Sequence, residues 1–272
     1  MTDHGAQVLI ETLLKPLVSI GLALAPPVPM APTTSCPPDM RLVQGTHHEQ
    51  LQRVCTDFRK NKCWAYLPGL VLIEPRHTPI HTCIDRYEWP NKAGARPHVM
   101  MRYVEAEASC KSVGKRLCTE FEWELACEGP NHLPYPYGWA KQIDVCNIDK
   151  PYKFYNEEKI NSNDTAVAMA EARRLWQGAA SGSYPGCDSY FGVSDLVGNV
   201  EEWVSSERPE WPYRSSLKGG YWSKKYTGCR GTNESHAPQF RFYEIGFRCC
   251  MDPQTAATSS PSSPQATSSP AP

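Results

Sequence analysis

The stretch 218–231, "KGGYWSKKYTGCRG", sets one thiol, Cys229, among aromatic rings and cationic side chains. Positive charge beside a thiol lowers its pKa and raises the thiolate fraction, so the segment could hold a nucleophile. The same cysteine could be half of a disulfide, and these residues leave both readings open. A second chemically loaded stretch is "SDLVGNVEEW" (194–203), in which Asp195 and Glu202 bracket a Gly-Asn turn. Two carboxylates with turn carbonyls make a hard, oxygen-rich cage suited to Ca²⁺. A plain turn with a solvated acidic face competes with that reading. Of the eight histidines, His77 and His81 lie near Asp85, as an iron site of two histidines and a carboxylate would need. Pro75 and Pro79 interrupt any helical register there, so these read as loop histidines. No G-x-S-x-G elbow and no phosphate-cradling glycine loop occurs.

The cysteines bound the compartment. There are 12, dispersed and even in number, with no C-x-x-C pair, which suits disulfides made in an oxidising environment better than structural zinc. The segment "PLVSIGLALA" after Lys15 resembles the apolar part of an export signal, although Asp3 and Glu11 precede it. A secreted, periplasmic or cell-envelope location is therefore expected. Basic and acidic residues nearly balance, 28 against 29, so no global field draws the chain to nucleic acid or an anionic membrane. No run of 18 apolar residues exists, so no membrane span is expected. A monomer is expected.

Scattered Gly, Pro, Asn and Ser predict short elements joined by many loops. One helix is predicted over residues 103–113, with Val104, Ala108 and Cys110 or Lys111 on one face and Gly114 closing it. A second follows "GKRLC", opened by the capping box Thr119 to Glu122 and stopped at Gly129-Pro130. Residues 70–74, 200–205, 219–222 and 246–250 read as strands. Residues 150–184 look like an insertion, in which "AVAMAEARRLW" could form a short helix. The leader through residue 35 reads as signal-like and then proline-rich, and residues 253–272 as a disordered Ser/Thr/Pro tail.

Four segments in order, "CIDRYEWPN" (83–91), "GKRLCTEFEWELAC" (114–127), "GVSDLVGNVEEWV" (192–204) and "KGGYW…GFRCC" (218–250), resemble the formylglycine-generating enzyme family, the sulfatase-modifying-factor domain, across residues 36–252. The resemblance implies an α+β, variant C-type-lectin-like fold, low in regular secondary structure and rich in disulfides. It implies a structural calcium held by the Asp195 side chain, the carbonyls of Gly198 and Val200, and the Glu202 carboxylate. A second family calcium site begins with an Asn-hydrophobe pair, matched here by Asn147 and Ile148, but its remaining ligands fall in the insertion. It also implies disulfides Cys110–Cys249 and Cys127–Cys229, each closing a long loop worth about 4 kcal/mol in a chain-entropy model. Beyond the family pattern, Cys146 with Cys187 would clamp the insertion and Cys55 with Cys63 would staple a short loop. Cys118–Cys250 and Cys36–Cys83 follow by elimination, connectivity not being deducible from sequence alone.

Catalytic members of that family oxidise a substrate cysteine to formylglycine with oxygen, using two copper-binding thiols just after the "GG" strand. Cu(I) prefers soft thiolates, and an ammonium would repel it. Here Ser223, Lys224 and Lys225 stand where the first thiol belongs, Cys229 matches the structural cysteine, and Glu201 replaces the usual tryptophan. No copper is expected. The expectation is a pseudoenzyme, calcium-stabilised, that binds a peptide, protein or glycan in the groove. The groove is read as Glu201, Trp203, Tyr221, Trp222, Ser223, Lys224, Lys225, Tyr226 and Arg230, with Trp203 and Trp222 equally readable as core. The alternative is a sulfatase-modifying oxidoreductase or metal-dependent oxygenase with a rearranged site.

Overall fold

The computed structural model describes residues 34–208, 210 and 212–255. Residues 1–33 of the expected leader and 256–272 of the expected tail lie outside the described residues, while the inner ends of both, Thr34–Ser35 and Gln254–Thr255, pair as antiparallel strands rather than belonging to a leader and a disordered tail. In chain order the elements are β1 (Thr34–Ser35), β2 (Met40–His48), β3 (Leu51–Arg59), β4 (Lys62–Ile73), β5 (His77–Asp85), α1 (Tyr103–Ser112), β6 (Arg116–Leu117) and α2 (Glu120–Glu128). Then come α3 (Glu157–Ile160), α4 (Thr165–Leu175), β7 (Glu201–Ser205), β8 (Ser215–Lys218), β9 (Thr232–Asn233), β10 (Ile245–Phe247), β11 (Cys249–Met251) and β12 (Gln254–Thr255). Two four-stranded sheets, ordered β2-β5-β11-β6 and β10-β7-β8-β9, carry the fold, with β3-β4 as a separate ribbon and β1 paired to β12. This is the α+β, variant C-type-lectin-like arrangement, with short elements and long loops between them.

α1 runs Tyr103–Ser112, but it buries Tyr103, Ala106 and Cys110 and leaves Val104 and Ala108 exposed, so the apolar face lies elsewhere than expected. The Cys110–Cys249 disulfide ties that face to β11 and sets the rotation. α2 opens on Thr119, whose hydroxyl accepts from the Glu122 N–H while the Glu122 carboxylate accepts from the Thr119 N–H at 2.8 Å. All nine of its residues are buried, four of them glutamates. A helix buried all round is normally apolar. Here the acids have partners. Lys218 donates to Glu124 at 2.5 Å and to Glu120 at 3.2 Å, and Arg116 grips Glu122 through two nitrogens. Arg230 grips Glu128 in the same way. Unpaired, each such carboxylate would carry several kcal/mol of desolvation.

Residues 219–222 are not a strand. Gly219 and Gly220 have φ of +79° and +67°, and a Cβ on Gly219 would sit 2.6 Å from the Leu196 carbonyl oxygen. The glycine pair therefore ends β8 and turns the chain into the groove loop. The insertion supplies α3 and α4, and the Cys146–Cys187 disulfide, spanning 41 residues, closes around it. The other disulfides are Cys36–Cys83, Cys55–Cys63, Cys118–Cys250 and Cys127–Cys229. The sequence holds 12 cysteines and all are bonded in these six pairs.

Candidate ligand groove and the carboxylate loop behind it

The loop before β7 is positioned by close approach. Gly198 has φ of +85°, and a Cβ there would meet Ile148 Cγ2 at 2.3 Å and the Asn147 carbonyl oxygen at 2.5 Å. Asn147 and Ile148 thus pack directly against this loop, and the Asn199 N–H donates to the Asn147 carbonyl at 2.9 Å. The Asn147 amide nitrogen donates to Asn199 Oδ1 at 3.0 Å and to the Gln177 carbonyl at 3.2 Å. Its own Oδ1 is buried without a hydrogen-bond partner. An orphaned buried acceptor is rare and points to a missing donor or ion.

Glu202 lies deeper. Arg248 donates to both of its oxygens, Nε to Oε2 and Nη2 to Oε1, at 2.7 Å each, and Trp123 Nε1 donates to Oε2 at 2.8 Å. Asp195 accepts from the Gly182 N–H at 2.7 Å. Glu88, absent from the sequence reading, accepts from Ser181 Oγ and Asn199 Nδ2 at 2.7 Å each. Burial, then the Asp195 charge, pushes the Glu88 carboxyl well above its usual range. Burial pushes Asp195 up to about 6, against the Gly182 hydrogen bond. Three buried carboxyls face the one guanidinium of Arg248 and offer hard oxygens, the donor type that calcium takes. Both Glu202 oxygens are already engaged by Arg248, so calcium would have to share them. Among the described residues no three His, Cys, Asp or Glu side chains form a metal-ligating group. A cation here would draw on backbone carbonyls as well.

The groove residues divide. Glu201, Tyr221 and Lys224 line one cavity of about 420 Å³ with Tyr155, Asn233, His236, Phe240, Phe242 and Glu244. Trp222 and Trp203 are buried core side chains, Trp222 stacked edge-on against Trp176 at 4.8 Å. Ser223 turns toward the insertion and accepts from Gln177 Nε2 at 3.2 Å. Lys225 is exposed. Tyr226 and Arg230 line a different cavity, about 260 Å³, beside Arg53 and Tyr135. Arg230 there serves the acidic helix, with Nη2 to Glu128 Oε1 at 2.6 Å. Cys229 is buried in its disulfide with Cys127.

Within the 420 Å³ cavity two carboxyls are nearly sealed from solvent, Glu201 at 5% exposure and Glu244 at 7%. The parallel pairing of β7 with β10 sets them side by side, the Glu201 N–H donating to the Glu244 carbonyl at 2.9 Å. Burial raises Glu201 to about 7, Lys224 and Asn233 working the other way. Burial, then Glu201, raises Glu244 well above its usual range. Sequence reasoning missed Glu244, and its place immediately before "IGFRCC" is the only local signal for it. Of the residues weighed for iron and set aside, Asp85 is bound by Lys115 at 2.6 Å and by the Cys249 N–H at 3.0 Å, while His77 is exposed and donates to the Pro75 carbonyl.

Residues 41–253 match the family model described as "Sulfatase-modifying factor enzyme 1-like domain". The chain is 30% identical over 188 residues to an "Inactive C-alpha-formylglycine-generating enzyme 2" of Bos taurus, covering 61% of this chain and 56% of that one. It is also 30% identical over 154 residues to a "Hercynine oxygenase" of Mycolicibacterium smegmatis, covering 53% and 32%. Among solved structures, CarF aligns with a TM-score of 0.49 at 15% identity, over 79% of this chain and 98% of that one. The chain thus spans about half or less of the curated relatives it matches.

Proposed function

The chain belongs to the sulfatase-modifying factor family, and we propose that it is a member that binds a polypeptide segment in the groove rather than oxidising one. One observation carries this reading. The groove loop presents Ser223, Lys224 and Lys225, and every cysteine of the chain is bonded in a disulfide. Copper-dependent oxidation needs a pair of adjacent thiolates, and this site offers an ammonium instead. Two carboxyls and a lysine in an aromatic cavity suit the charged groups of a polypeptide better than the neutral hydroxyls of a glycan.

Calcium stabilisation is part of the proposal. The ion would be held by Asp195, the carbonyls of Gly198 and Val200, and Glu202, with Glu88 adding to the local negative charge. A second ion would use the unpartnered Asn147 Oδ1 and the Ile148 carbonyl. Bound calcium would supply charge neutralisation; the residues themselves orient the loop that carries Glu201 into the groove. The six disulfides support an exported protein, and no helix of the described residues is long and apolar enough to cross a membrane.

The test is selection of displayed random peptides against the intact protein, repeated with Tyr221→Ala and Lys224→Ala variants. Peptides enriched on the parent and lost on both variants support the reading. Failure to enrich any peptide, with binding to a glycan panel that depends on Tyr221, would overturn it.

A further inference from the structure

Neither Glu201 nor Glu244 is among the proposed calcium ligands, and among the described residues neither carboxyl forms a close ion pair, Lys224 acting on both only from a distance. Lys224 lines the same cavity. Glu244 Oε2 is buried without any hydrogen-bond partner in a residue only 7% exposed. A buried carboxyl oxygen without a donor is unfavourable unless something charged or hydrogen-bonding arrives. The walls are aromatic: His236 stacks on Phe240 at 3.8 Å, and Tyr155 from the insertion meets Phe242 edge-on at 5.1 Å. Ring faces beside carboxylates attract organic cations and cover their alkyl stems.

We propose that Glu201 and Glu244 form a seat for an organic cation, an ammonium or guanidinium carried on a short apolar stem, at the floor of the groove. This deepens the polypeptide-binding reading and rests on the groove being a binding site. The cation's N–H groups reach the open Oε2 of Glu244, Glu201 supplies the second acceptor, and the stem lies against Phe240 and Phe242. A lysine or arginine side chain of a bound polypeptide has this chemistry, and so does a free alkylamine. Lys224 at the mouth opposes a second cation, so it tunes affinity and does not create the site.

The test titrates the full chain with butylguanidinium and butylammonium, using butylurea as the neutral isostere, by calorimetry. The cations are expected to bind at least about tenfold tighter than butylurea, since charge-assisted hydrogen bonds are about twice as strong as neutral ones. Glu244→Gln and Glu201→Gln keep the shape and should each reduce cation binding about tenfold, while Lys224→Ala should strengthen it. An unchanged melting temperature in the Gln variants shows that they remain folded. Equal binding of butylurea and butylguanidinium, or cation binding indifferent to both Gln variants, overturns the seat. Tighter binding of an acetylated Gly-Gly-Arg-Gly-Gly amide than of butylguanidinium assigns the cation to a polypeptide; equal affinity assigns it to a free amine, and both keep the seat. Loss of all peptide selection while butylguanidinium still requires Glu244 would overturn the polypeptide reading and leave the seat standing.

Discussion

Arg248 holds Glu202 through two hydrogen bonds of 2.7 Å, with side-chain exposures of 0% and 1%. The same guanidinium donates to the Ser194 carbonyl at 2.9 Å and the Asp85 carbonyl at 3.2 Å, so one side chain ties β10–β11 to the carboxylate loop and to β5. Removing one member of a buried pair leaves the other charge uncompensated. Arg248→Met should therefore destabilise the protein by about 3–5 kcal/mol in a denaturant titration. Arg248→Met combined with Glu202→Leu should be less damaging than the sum of the two single changes, because the two charges bonded to each other are removed together, while Glu88 and Asp195 still lose the guanidinium.

Calcium should add stability through the same loop. A chelator is expected to lower the melting temperature of the parent protein, with about 2.7 kcal/mol at stake when the ion is at a hundredfold excess over its dissociation constant. Asp195→Ala should remove the chelator effect. A parent protein insensitive to both added calcium and chelator would rule out the calcium assignment.

Gly198 tests how tightly the loop is held. With φ of +85° and backbone of Asn147 2.5 Å from a Cβ position, Gly198→Ala should cost roughly 2–4 kcal/mol. Gly94 has a similar φ of +72° with nothing within 4 Å of its Cβ position, so Gly94→Ala should cost only about 1 kcal/mol. Comparing the two by thermal melts separates steric exclusion from backbone strain.

Protons report on the groove. Glu244 is raised first by burial and then by Glu201, itself raised to about 7, against the pull of Lys224. A carboxyl whose folded pKa exceeds its unfolded value favours the fold while protonated. That contribution is complete below the unfolded pKa and is lost as pH rises through the folded one. Stability measured by urea titration should therefore fall between about pH 5 and about pH 8, and Glu244→Gln should flatten the fall. Tyr221, which also faces this pair, stays protonated throughout, burial having raised it above its usual value.

What was legible in the sequence was local or short-range. The capping box at Thr119 and Glu122 named the start of α2, and the run of small and apolar residues in 166–176 named α4. The "GG" segment misled because alternation suggested a strand, whereas the Leu196 carbonyl leaves room only for glycine in a left-handed turn at Gly219. Arg230 read as a groove cation, but Glu128, 102 residues earlier, claims it from behind. The Glu201–Glu244 pair depends on the parallel register of β7 and β10, set by packing between distant segments and carrying no periodicity of its own. Glu88 escaped notice for the same reason: its partners Ser181 and Asn199 lie 93 and 111 residues away.

The central claim is that this groove binds and does not oxidise. The most direct measurement incubates the purified protein, loaded with copper(I) under oxygen, with a cysteine-containing peptide and follows the peptide by mass spectrometry. The peptide thiol should remain intact, apart from its disulfide dimer, at the level seen with copper and no protein. Conversion of the thiol carbon to an aldehyde, dependent on the protein and on oxygen, would contradict the account.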